Sequence, residues 1–137
     1  MEIILRAADR EGFTLIEMVI ALAIVTILVT TILPSYKEYL LQGRRSDATT
    51  ALVTFAQRVE REFLENGSYS GATTALYRES SDGGHYTLSI TVTDNSYQLQ
   101  ATPIGVQLQD LVCNSFTLNE SGERGITGPS TVAECWG

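Results

Sequence analysis

The sequence predicts an α+β fold: one long N-terminal helix packed against a small antiparallel β-sheet. Three observations carry this. Residues 13–33 form an apolar run broken by one carboxylate, Glu17. From Tyr36 to Phe63 apolar side chains recur at steps of three and four, the period of an amphipathic helix. From His85 to Thr102 apolar and polar side chains alternate in two runs joined by a turn, the period of half-buried strands. A chain of 137 residues supports one domain with an appendage.

The apolar run comes first. Residues 13–33 make about 31 Å of helix at 1.5 Å per residue, matching a hydrocarbon core of about 30 Å. The sixteen residues Met18 to Leu33 are uncharged. A carboxylate at the head of such a segment costs a few kcal/mol or more in lipid, so Glu17 reads as functional and needs a partner. A free amino group, made by cutting between Gly12 and Phe13, is the candidate. A secretory signal peptide fits less well. The run is longer than a typical apolar region of such signals, and Pro34-Ser35-Tyr36 follows instead of a small-residue cleavage site. Glu17 also disfavours a simple single-pass anchor.

Pro34 lacks an N–H and crowds the carbonyl of Thr30. In a continuing helix it gives a kink or a point of local melting, with Thr30 and Thr31 at hand to satisfy the freed groups. Otherwise it ends the helix. The pattern beyond it favours continuation. Tyr36, Tyr39, Leu40, Gly43, Ala48, Ala51, Leu52, Phe55, Ala56, Val59 and Phe63 form the apolar stripe. Lys37, Glu38, Arg45, Arg58, Arg61, Glu62 and Glu65 fill the other, solvated face. Arg58 with Glu62 and Arg61 with Glu65 stand at i,i+4, each worth a few tenths of a kcal/mol. Asn66-Gly67 is the stop signal.

Residues 66–84 are rich in Ser, Gly and Thr and read as a connecting loop. His85–Thr93 is the first strand, with Tyr86, Leu88, Ile90 and Val92 on one face. Asp94-Asn95-Ser96 is the turn. Tyr97, Leu99 and Ala101 mark the second strand, which Pro103 ends. Asn114–Asn119 is the third, with Phe116 and Leu118 inward. Turn residues at Ser121-Gly122 and Gly125 leave room for a short fourth. The meander lays one apolar face on the helix stripe.

Charge and chemistry narrow the function. The net charge is −7, and residues 66–137 hold two arginines against seven acids. Such a head argues against generic nucleic-acid binding, which needs a basic patch. Cys113 and Cys135 are an even count behind an export-like N-terminus, which favours a disulfide in an oxidising compartment over two free thiols. Neither they nor the single histidine, His85, have the spacing of a zinc site. Gly67-Ser68-Tyr69-Ser70-Gly71 has tyrosine where a nucleophile elbow needs serine. No phosphate-binding glycine loop is present, and Asp82 and Asp94 are isolated. No catalytic residue, cofactor or metal is expected, and the chain is not read as an enzyme.

The segment Gly12-Phe13-Thr14-Leu15-Ile16-Glu17 resembles the processing and assembly signal of type IV pilins. By that resemblance the chain has the type IV pilin fold. Gly12 and Phe13 flank the cut made by a prepilin peptidase, which also N-methylates Phe13. Glu17 is the assembly carboxylate that pairs with the amino terminus of a neighbouring subunit, and Pro34 is the helix-breaking proline. Pairing two buried opposite charges offsets their desolvation. The later segments Pro34-Ser35-Tyr36-Lys37-Glu38-Tyr39, Gly43-Arg44-Arg45, Tyr97 to Pro103, Gln107 with Asp110 before Cys113, and Cys135-Trp136 are similar to the PilE-like minor pilin branch. Likeness makes Cys113 and Cys135 the staple of a C-terminal region. One departure stands out: pilin leaders are basic, whereas residues 2–11 hold three acids and two arginines.

The resemblance implies a leader over 1–12, a transmembrane and assembly half-helix over 13–34, an amphipathic half over 35–65 and a β-sheet head over 66–137. It implies a structural minor pilin of pilus assembly, supporting twitching motility, adhesion or DNA uptake. Its partners would be other pilin subunits through the N-terminal helix, the prepilin peptidase and methylase, and the pilus assembly platform. It would sit in the bacterial inner membrane, head periplasmic, before joining an extracellular pilus. Two alternatives remain. A DNA-binding uptake-receptor pilin has the acidic head against it. A type II secretion pseudopilin is disfavoured by the terminal disulfide and the lack of an acidic calcium cluster.

Overall fold

The computed structural model describes residues 12–137. The expected leader, Gly12 apart, lies outside the described residues. The chain falls into two compact units divided between Lys37 and Glu38.

The first unit carries the start of helix α1 (Leu15–Asn66), and Pro34 lies inside that helix rather than ending it. Residues 12–37 are exposed throughout. The threonine hydroxyls turn inward on their own helix. Thr26 Oγ1 donates to Leu22 O at 2.8 Å, Thr30 Oγ1 to Ile27 O at 2.8 Å and Thr31 Oγ1 to Leu28 O at 2.9 Å. This satisfies polar groups within an apolar segment, where an unpaired hydroxyl is costly. It does not serve Pro34 as the sequence suggested. A helical threonine reaches carbonyls three and four residues back, and the carbonyl that Pro34 frees belongs to Thr30 itself.

The second unit holds the rest of α1, a four-stranded sheet and a short terminal helix. The strands are β1 (Tyr86–Val92), β2 (Tyr97–Pro103), β3 (Phe116–Asn119) and β4 (Arg124–Ile126), in the order β1-β2-β3-β4 and antiparallel throughout. The register sets Leu88 opposite Ala101, Ile90 opposite Leu99, and Leu99 opposite Leu118. One face is therefore apolar. It meets Ala48, Leu52, Phe55 and Val59 of α1 in a single core with Tyr86, Leu88, Leu99, Ala101 and Phe116. Tyr86 and Phe116 stack edge to face at 5.8 Å, and Phe116 and Trp136 at 5.9 Å. Pro103 is the last residue of β2, opposite Tyr86, rather than a residue beyond it.

The buried stripe of α1 differs from the expected one at its start. It runs Leu41, Arg45, Ala48, Ala51, Leu52, Phe55 and Val59, mostly at steps of three and four. Tyr39 and Gly43 are exposed. The period was right and its phase slipped there, because the inward residue at that point is an arginine. Arg45, expected on the solvated face, is buried. Arg61 does pair with Glu65, at 3.7 Å. Arg58 instead points at the head, donating to Leu76 O at 3.4 Å and lying 5.8 Å from the Tyr77 ring.

Two 3₁₀ turns, Thr74–Leu76 and Gly105–Gln109, and helix α2 (Val132–Trp136) have no strong sequence signature. Cys113 and Cys135 are joined, with Cα atoms 5.8 Å apart, so α2 is tied beside β3. Breaking that link by Cys113→Ser with Cys135→Ser should lower stability by roughly 3 kcal/mol on the chain-entropy account, read from thermal unfolding. Gly128 closes the same region. Its N–H donates to Cys113 O at 3.0 Å, and a Cβ there would collide with the Val112 carbonyl. Because the obstacle is backbone, Gly128→Ala should lower stability by about 1–3 kcal/mol in the same experiment.

Candidate assembly site and the head that carries it

Helix α1 begins with Thr14 before it and Glu17 in its first turn. Glu17 N–H donates to Thr14 Oγ1 at 3.3 Å, and Thr14 N–H donates to Glu17 Oε2 at 3.4 Å. This is a reciprocal capping box, which satisfies two of the helix's orphan donors. The carboxylate also faces the positive end of the helix dipole. Sequence reading singled out Glu17 and passed over Thr14, although the spacing Thr-x-x-Glu before an apolar run is the legible signal. Gly12 and Phe13 precede the helix and are exposed, Phe13 at 80%. The described structure thus groups Phe13, Thr14 and Glu17 at one helix end. Behind them every large aliphatic side chain from Leu15 to Leu33 is exposed. The helix is long and apolar enough to cross a membrane. A surface so apolar needs lipid or another protein.

The head has a buried polar cluster of its own. Arg45 holds Asp110 by two bonds, from Nε to Oδ2 at 2.7 Å and from Nη2 to Oδ1 at 2.9 Å. Asp110 also accepts from the Cys113 N–H at 3.3 Å. Gln107 Nε2 donates to Leu41 O at 3.1 Å and to Tyr86 Oη at 2.9 Å. Helix α1, the Gly105–Gln109 turn and the start of the disulfide-bounded region are thereby tied at one point. The bonds it donates to Asp110 hold the Arg45 guanidinium above its ordinary pKa, against the opposing effect of burial. A forked, charge-assisted pair of this kind is strong when intact and costly when broken. A second tie is Asp47, which accepts from Ser81 Oγ and from Gly83 N–H.

Tyr86 provides a pH signature. Burial pushes its phenol up to about 12. Its folded pKa exceeds the unfolded value near 10, so the native state holds the proton longer. That contribution to stability is fully present below pH 10 and is lost as pH rises through about 12. Unfolding free energy should therefore decline between pH 10 and 12, and Tyr86→Phe should lessen that decline, to which Tyr69, Tyr77 and Tyr97, also raised by burial, contribute.

Among the described residues no group of His, Cys, Asp and Glu could hold a metal ion. The solvent face of β1 and β2 is uncharged: Thr87, Ser89, Thr91, Gln98 and Thr102 are exposed there.

Comparison with known proteins agrees with this architecture. Residues 34–117 match the family described as "Type IV minor pilin ComP, DNA uptake sequence receptor". Residues 8–33 match the prokaryotic N-terminal methylation motif. A solved type IV pilin from Shewanella oneidensis is 30% identical, with a TM-score of 0.53, over 71% of this chain and 98% of that one. No curated protein sequence matches. Pilins are structural subunits that mature through this N-terminal signal and assemble with other pilins. One long N-terminal helix with a four-stranded antiparallel sheet agrees with that fold, and the chain belongs to the type IV minor pilin family.

Proposed function

We propose that this minor pilin is cut between Gly12 and Phe13 by the prepilin peptidase and joins the pilus through helix α1. It waits in the bacterial inner membrane with its head in the periplasm. Glu17 then pairs with the amino terminus of a neighbouring subunit, and Pro34 gives the helix a point of adjustment as it leaves lipid. The observation that carries this is the uncovered aliphatic surface from Leu15 to Leu33 behind a single capped carboxylate. The capping box supports the role by keeping that carboxylate partly satisfied until a partner arrives. Quantitative mass spectrometry of sheared pili is the test. A minor component beginning at methylated Phe13 supports the reading. A protein confined to the inner membrane with its leader intact overturns it.

A second reading, DNA capture by the head, is favoured by the match over residues 34–117 to a family described as a DNA uptake sequence receptor. Arg78 and Arg124 are the only cations of residues 66–137. Arg78 lies against Asp82, and Arg124 lies 5.1 Å from the Trp136 ring. Two phosphate contacts would give a salt slope of about −1.8. A DNA titration at several salt concentrations should therefore show weak, shallow dependence that falls further in Arg124→Ala. A slope near −6 would require cations beyond the sheet face, on α1.

A further inference from the structure

Between the second half of α1 and the turn from β3 to β4 lies a groove of about 610 Å³. Val53, Ala56 and Leu64 line it from α1, Tyr97 from β2 and Leu118 from β3. A cavity of this size, with apolar walls and a few polar groups, has the make-up of a ligand site. Two carboxylates also line it, Glu60 from α1 and Glu120 from the turn after β3. Glu60 is half-buried, and its two oxygens accept from the Tyr69 hydroxyl at 3.2 and 3.1 Å. Glu120 Oε2 accepts from the Tyr97 N–H at 3.4 Å. These partners are neutral. Burial first and Glu60 second raise the phenols of Tyr69 and Tyr97, so both keep their protons. Among the described residues no cation pairs with Glu60 or Glu120, and Arg61 at the rim pairs with Glu65 instead, at 3.7 Å. A half-buried charge without a counter-charge is costly. The arrival of a cation offsets that cost.

We propose that this groove receives a lysine side chain presented by a partner protein. Charge complementarity selects the occupant. The apolar walls fit the four-carbon stem, and the carboxylates fit the ammonium at its end. An uncharged helix laid here would desolvate the carboxylates without pairing them. DNA would bring phosphates against two acids. The Tyr69 hydroxyl already holds Glu60 in place, so little order is lost when the cation binds.

The test uses the full chain, isotope-labelled for NMR, in zwitterionic lipid nanodiscs. N-acetyl-lysine N-methylamide is the probe, and N-acetyl-norleucine N-methylamide is the control with the same stem and no charge. The lysine probe should shift the amides of Ala56 to Leu64 and of Leu118 to Gly122 saturably. It should bind at least about ten-fold more tightly than the control, since a hydrogen bond to a charged group carries that factor. Glu60→Gln with Glu120→Gln should abolish the preference. Glu60→Gln also touches Tyr69, so Glu120→Gln alone is the second variant, at an exposed turn position. It should weaken the lysine probe about three-fold and leave the control unchanged. Equal binding of the two probes, saturable shifts only elsewhere on the head, or no saturable shift overturns the proposal. So does a lysine preference that survives Glu120→Gln undiminished.

Discussion

Glu17→Ala should leave the protein in the membrane and take it out of the pilus. The apolar run gains a methyl group in place of a carboxylate, so insertion is not weakened. The loss falls on assembly. Two effects contribute and differ in size. Removing half of the capping box costs about 1 kcal/mol of local helix stability. On the proposed pairing, leaving a neighbour's buried ammonium without its counter-charge costs about 3–5 kcal/mol. The larger effect predicts a fall of at least a hundred-fold in pilus content, measured by mass spectrometry of sheared fibres against the membrane fraction.

Two companions separate the causes. Glu17→Gln retains a side chain able to complete the box, since glutamine serves at that position, but it has no charge. If charge pairing drives assembly, Gln fails as Ala does. Thr14→Ala removes the hydroxyl that accepts from Glu17 N–H and leaves the charge. It should lower pilus content only several-fold. Wild-type assembly by Glu17→Gln would assign the residue to helix capping alone.

Asp110→Ala has the largest expected effect on the head. It leaves the Arg45 guanidinium, whose side chain is 9% exposed, with only the exposed carboxylate of Glu38 at 3.6 Å, and removes the acceptor of Cys113 N–H. Breaking one side of a buried pair costs about 3–5 kcal/mol. For a unit of this size each kcal/mol moves the melting temperature by roughly 4–8 °C, so the midpoint should drop by more than ten degrees. Arg45→Met combined with Asp110→Leu replaces both charges by apolar volume and should recover most of the loss. Thermal unfolding of the detergent-solubilised protein measures both. A single variant as stable as wild type would show that the pair contributes nothing.

The fold was legible because its periods are long and clean. The alternation from Tyr86 to Val92 and from Tyr97 to Pro103 is that of two paired strands, and the sheet has them in that register. The three-four steps from Ala48 to Val59 are the buried stripe. The segments that escaped are short: Val132–Trp136 has five residues and Gly105–Gln109 five. Neither is long enough to display a period, and both are held by tertiary ties, the disulfide and the Arg45–Asp110 pair. The assembly end was legible as a rare residue in a uniform background, a single acid before sixteen uncharged residues. Its partner in the box, Thr14, was legible as well, in the Thr-x-x-Glu spacing before the apolar run.

Sequence alone was sufficient for the family, the α+β class and Glu17 as the residue to test. The class follows from local period, Glu17 from a lone acid in an apolar run, and the family from the resemblance of the segment Gly12 to Glu17 and the later motifs. Tertiary structure was needed for Arg45. An arginine on a helix reads as solvated until a carboxylate from residue 110 arrives to pair with it, and that meeting joins positions 65 residues apart. Leu108 and Leu111 are exposed beside Gln107 and Asp110, whose burial is matched by Leu41 O and Arg45. Which side chain is buried is settled by what lies opposite it, and a linear pattern carries no information about the opposite side.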